Sequence, residues 1–135
     1  MKLLLDTHVF IWWLDAPEKL NIEELEFIKN TDNTVFISVA SIWEISIKKS
    51  IGKLIFSNNG NTLDAITENY FLPLPINAKH AQFVETLPKH HDDPFDRMLI
   101  SQAIVDDLVF ITRDTRIKQY AKSSTSKCLT ALIFK

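Results

Sequence analysis

Short apolar runs alternate with amphipathic stretches along the whole chain. The first run, Lys2–Leu5, has the look of a buried strand, and residues 6–14 then place Val9, Phe10, Trp13 and Leu14 at helical spacing. Pro17 ends that segment. A second helix is expected over 22–30, with Ile22, Leu25 and Ile28 on one face. Thr34–Ser38 (TVFIS) is β-branched and aromatic, the composition of a strand. Residues 39–51 follow as a helix closed by Gly52, since glycine accepts the left-handed backbone that stops helices. Residues 57–61 (SNNGN) read as a turn and 62–69 as a helix. Residues 71–76 read as a short strand, and its prolines, Pro73 and Pro75, withhold backbone donors and so place it at a sheet edge. A helix over 77–87, a polar loop over 88–93, a helix over 94–106, a strand over 108–111 and a short helix over 114–122 complete the pattern. A Ser/Thr-rich link then leads to residues 131–134, which supply a further strand if they pair.

Strands that alternate with helices imply βαβ units, hence a parallel sheet with helices on both faces. The expectation is an α/β fold, a single domain over 1–135, with a central sheet of four to five strands.

Composition narrows this only a little. At 135 residues the chain is long enough to bury a core without disulfides. Its one cysteine, Cys128, has no partner in the chain and no zinc-site spacing, and suits a reducing compartment. No apolar run approaches a membrane span, so a soluble, cytoplasmic protein is expected. A net charge of −2 argues against a dedicated nucleic-acid coat protein, but not against a nuclease whose acids offset a basic rim.

Topology draws attention to four acids. Asp6 follows the first strand, Glu44 lies one turn into the helix leaving the second, and Asp114 follows the strand 108–111. Asp96 opens the helix that runs back antiparallel to that strand. All four therefore fall at the carboxyl edge of the sheet, where open α/β folds place ligands. Each also has an ordinary structural reading. Asp6, Asp93 and Asp114 sit where helix caps sit, and Ser41-Ile-Trp-Glu44 has the capping-box spacing. Capping and ligation can coexist. Clustered carboxylates repel unless a counter-charge is present, and hard oxygen ligands suit Mg²⁺ or Mn²⁺. Such a centre can activate water against a phosphodiester. Gly-rich phosphate loops and the serine-nucleophile elbow are absent from the chain.

At these same residues the chain resembles a known family. Leu4-Leu5-Asp6-Thr7-His8 is similar to the opening of PIN domains, and Ser38-Val-Ala-Ser-Ile-Trp-Glu44-Ile to their second motif. His91-Asp-Asp-Pro-Phe-Asp96-Arg-Met-Leu-Ile is similar to the third motif and Ile111-Thr-Arg-Asp114 to the fourth. Chain size and the D-P-F-D-R form most resemble VapC toxins of toxin–antitoxin pairs. The resemblance implies a three-layer α/β/α fold and a Mg²⁺- or Mn²⁺-dependent endoribonuclease acting on RNA. It also implies a cognate antitoxin protein and a homodimer. Asp6, Glu44, Asp96 and Asp114 match its acidic positions, with Asp6 and Asp96 expected as direct ligands. Thr112 matches a small hydroxyl position that can orient a carboxylate or water, and Asp93 supports the helix start. The polar stretch 123–127 (SSTSK) is a longer link than these toxins usually have.

The remaining candidates have two readings each. Arg97, Arg113 and Arg116 adjoin the acids and suit substrate phosphate; Lys48, with Lys49 and Lys53, is either part of that rim or an i,i+4 partner of Glu44. His8, His90 and His91 read as structural or solvated rather than ligating. Trp12 and Trp13 point about 100° apart on a helix, which leaves surplus aromatic surface for a dimer or antitoxin contact. Two competing functions stay on the table. A phosphoryl-accepting receiver domain would need paired acids after the first strand and a late lysine, where Leu4, Leu5 and Arg113 stand instead. A catalytically silent binding module of the same fold would have no physical need for clustered like charges.

Overall fold

The computed structural model describes residues 1–54, 60–90, 92–121 and 129–134. Among these residues five strands form one wholly parallel sheet: β1 (Lys2–Leu5), β2 (Thr34–Ser38), β3 (Leu72–Leu74), β4 (Val109–Thr112) and β5 (Thr130–Ile133). Their order across the sheet is β3-β2-β1-β4-β5. Pro73 lies in an edge strand, as its missing donor requires. The last strand does form, paired with β4. The link 123–127, Cys128, His91 and most of the turn 57–61 lie outside the described residues.

Among the described residues seven helices cover the sheet: α1 (Thr7–Asp15), α2 (Ile22–Lys29), α3 (Val39–Ser50), α4 (Thr62–Glu68), α5 (Ala78–Phe83), α6 (Pro94–Val105) and α7 (Lys118–Ala121). Side-chain oxygens satisfy orphan amides at the starts of α1 to α6, from Asp6, Asn21, Ser38, Asn61, Asn77 and Asp93. Past the end of α3, Gly52 takes φ +72°, the expected stop. The helix expected over 77–87 relaxes into a 3₁₀ turn after Phe83, and the one over 114–122 begins as a 3₁₀ turn.

Alternation along β1 divides the core. Leu3 and Leu5 pack with Val35, Ile37 and Ile111 against α1, α2 and α4, through Val9, Phe10, Ile28 and Ile66. Leu4 points the other way, with Phe110, against Leu99, Ile100 and Ala103 of α6 and Tyr120 of α7. This is the three-layer α/β/α arrangement.

One face differs from the periodicity. In α2 the expected inward residue Ile22 is exposed, while Glu24 is fully buried beside Ile28. Glu24 closes a capping box with Asn21 and receives Arg113, and those bonds offset the desolvation of its carboxylate.

Candidate functional site

The strand order switches direction at β1, which pairs with β2 on one side and β4 on the other. Such a point opens a crevice at the carboxyl ends of the strands. The Asp6 N–H donates to the Ile111 carbonyl at 2.9 Å, extending the β1–β4 ladder by one residue and bringing Asp6 beside Thr112. The Thr112 hydroxyl accepts from the Asp114 N–H at 3.0 Å and so turns its own proton to Asp6 Oδ2, at 2.6 Å. The other Asp6 oxygen caps α1 through the His8 N–H. Thr7 Oγ1 meets Ser41 Oγ at 2.7 Å, which ties the start of α1 to α3 and to the turn bearing Glu44.

Glu44 is buried and pairs with Lys48 at 2.9 Å. Ser41-x-x-Glu44 is not a capping box: the helix starts earlier, and Ser38 is its cap, through the Ala40 N–H. The Ser38 hydroxyl then donates to buried Gln102, which joins α3 to α6. Asp93 caps α6 through the Phe95 and Asp96 amides, with Pro94 at the first helical position. Asp114 caps the 3₁₀ turn and is gripped bidentately by Arg116.

Asp96 is placed differently. Among the described residues its carboxylate has no hydrogen-bond or ion-pair partner. Burial, followed by the charges of Asp6, Asp93, Glu44 and Asp114, pushes its pKa up to about 7. Burial also raises Asp6, against the Thr112 hydroxyl and the nearby His8. The acids thus share one electrostatic basin with a deficit of positive charge. They do not converge: among the described residues no three His, Cys, Asp or Glu side chains stand close enough to hold a metal as they are. Repulsion accounts for the spread, each neighbour of Asp96 turning to its own donor.

The PIN domain family model matches residues 3–123. The chain belongs to the PIN domain family. Solved structures of similar fold include a chain of VapBC2 from Rickettsia felis, bound to a promoter DNA fragment, at TM-score 0.73 and 18% identity over 100% of both chains. A chain of DNA-bound VapBC from Salmonella typhimurium gives 0.69 and 17% over 98% of each, and one of VapBC-1 from Haemophilus influenzae 0.65 and 19% over 98% of each. At these identities the likeness is one of fold. No curated protein matches the chain significantly in sequence.

Around the acids, this PIN domain divides its basic residues into two groups. Lys48 and Arg116 stand on the rim, paired with Glu44 and Asp114. Arg97 and Arg113 are committed elsewhere. Arg97 donates to the carbonyls of Val84, Leu87 and Pro88, fastening the polar loop to α6. Arg113 grips buried Glu24 and lies over the Trp12 ring, 5.2 Å from its centroid. Lys49 is turned to Gly60 and Thr62. His90 packs edge-on against Tyr120. Trp12 and Trp13 are half-buried, the latter donating to Asn69. The exposed tryptophan is Trp43, in edge contact with Phe95. Its position immediately before Glu44 was the available signal.

Thr112→Val tests the local wiring. It strands the Asp114 amide and removes the donor to Asp6, so a loss of about 1–3 kcal/mol is expected in urea unfolding. Thr112→Ser should recover most of it. A valine variant as stable as the parent would show that the hydroxyl does not hold Asp6 in place.

Proposed function

We propose that this chain is a VapC-type toxin, an endoribonuclease that hydrolyses RNA phosphodiesters with Mg²⁺ or Mn²⁺. A cognate antitoxin protein would restrain it, and it would act as a homodimer. The observation that carries the reading is the Asp96 carboxylate, unpartnered among the described residues and raised in pKa by burial and by the charges of Asp6, Glu44 and Asp114 at one sheet edge. All the donors are hard oxygens, and Lys48 and Arg116 offset only part of their negative charge, which fits a hard divalent cation. The structural likeness to chains of VapBC complexes supports the toxin and antitoxin roles. Among the described residues no helix is long and apolar enough to cross a membrane.

Asp6 and Asp96 would be the direct ligands, with Glu44 and Asp114 acting through water. The chemistry that a divalent cation held by these acids would supply is a water of lowered pKa and a polarised phosphodiester. The Thr112 hydroxyl holds the Asp6 carboxylate in place, and Asp93 fixes the turn from which Asp96 projects. Lys48 and Arg116 supply positive charge for RNA phosphates. Arg97 and Arg113 hold the walls of the crevice rather than the substrate.

The test is cleavage of RNA by the purified chain with Mn²⁺ or Mg²⁺. Activity should disappear with EDTA and in Asp6→Asn. Cleavage that survives either would refute the mechanism. The spread of the acids favours one other reading, a silent binding module. Calorimetric Mn²⁺ titration separates the two, since a module shows no binding at millimolar metal.

A further inference from the structure

Trp43 leaves 61% of its surface in water, although a ring of that size normally seeks burial. It is not loose. Phe95 meets it edge-to-face, with ring centroids 5.3 Å apart and planes at 72°. Each ring immediately precedes an acid of the site, Trp43 before Glu44 on α3 and Phe95 before Asp96 on α6. Consecutive helical residues diverge by about 100°, so when the acids turn inward the rings stand on the rim. The pair therefore marks the place where α3 and α6 meet at the mouth of the crevice.

We propose that Trp43, braced by Phe95, is a stacking platform for single-stranded RNA, seating the base next to the phosphate that the acids cut. The proposal rests on the ribonuclease reading above. An enzyme acting on a phosphodiester must seat the flanking nucleotides, and a base offers a π-face whatever its identity. Sequence-tolerant recognition of unpaired RNA uses aromatic rings in this way. Lys48, one turn beyond Glu44 and ion-paired with it, puts a cation on the acids' side of α3, where it can meet a phosphate at the cut. Edge contact with Phe95 limits the rotation of the indole, which reduces the ordering cost on binding. The aliphatic residues further along α3, Ile47 and Ile51, make a protein partner the competing occupant.

The experiment compares the full chain with Trp43→Ala and Trp43→Phe. Fluorescence anisotropy in EDTA measures affinity for a single-stranded RNA octamer and for the same octamer with abasic sugars. Sedimentation and RNA cleavage with Mn²⁺ are run alongside. Trp43→Ala should weaken binding of the base-bearing octamer by about 10- to 100-fold, and Trp43→Phe should retain most of the affinity. Binding of the abasic octamer should not change. Equal affinity of wild type and Trp43→Ala for the base-bearing octamer overturns the platform. So does a change of oligomeric state with RNA affinity unmoved, which would assign the ring to a protein interface. A wild type that neither binds the octamer nor cleaves RNA removes the ribonuclease reading itself, and the platform with it.

Discussion

Asp96→Asn is expected to silence RNA cleavage and at the same time to stabilise the metal-free protein. Loss of the proposed direct ligand should cost at least about a thousandfold in rate, several kcal/mol of transition-state stabilisation. The gain in stability follows from the crowding of acids. Burial and the neighbouring carboxylates raise Asp96 from 3.8 to about 7, so between those values the folded state holds a proton that the unfolded chain has released. Stability from this group is therefore complete below the ordinary carboxylate range and is lost as pH rises through about 7. Asparagine cannot ionise and escapes that loss. Allowing for solvent screening of a partly open carboxyl, the variant should be more stable by about 1–2 kcal/mol at pH 8 in EDTA. The difference should shrink towards pH 4. Saturating Mn²⁺ should reverse the order, since only the wild type gains from binding. Urea unfolding at the two pH values, with and without metal, gives the comparison. A variant no more stable than wild type at pH 8 would mean that Asp96 does not feel the other acids.

The largest loss of stability is expected away from the acids, at Arg113→Ala. Glu24 is fully buried, and its carboxylate is answered by the Asn21 amide and the Arg113 guanidinium. Removing the guanidinium leaves a buried charge with little compensation, a loss of about 3–5 kcal/mol. The stacking of Arg113 over Trp12 goes with it. Glu24→Gln in the same chain should return part of the loss, because the stranded charge is then gone. Denaturant midpoints of the two single variants and the double variant measure the coupling. If the double variant loses the sum of the two single losses, the pair is not what couples α2 to the end of β4.

Much of this architecture was legible from local pattern. The runs Lys2–Leu5 and Thr34–Ser38 are strands with those bounds, and Pro73 marked its edge correctly. The acids could be assigned to one sheet edge because strand and helix directions alone determine it. What local pattern hid was pairing across the chain. Glu24 looks like any acid on a helix surface until Arg113, 89 positions later, is seen to meet it. Ser41 and Glu44 have a cap's spacing, yet Ser38 begins the helix, a choice made by its hydroxyl against Gln102. Trp12 and Trp13 drew attention as surplus aromatics, while the exposed ring is Trp43, because exposure depends on where α3 lies against its neighbours.

The hydrogen bond between Thr112 and Asp6 spans 106 positions. β1 thus waits for β4 before the crevice between them exists. Contacts of such long range form slowly and late. A nascent chain, or one cut short before Thr112, has Asp6 and Glu44 but not the hydroxyl that orients Asp6. Assembly of the acidic crevice is in this way tied to the synthesis of β4, and a product that ends before it lacks the hydroxyl that holds Asp6.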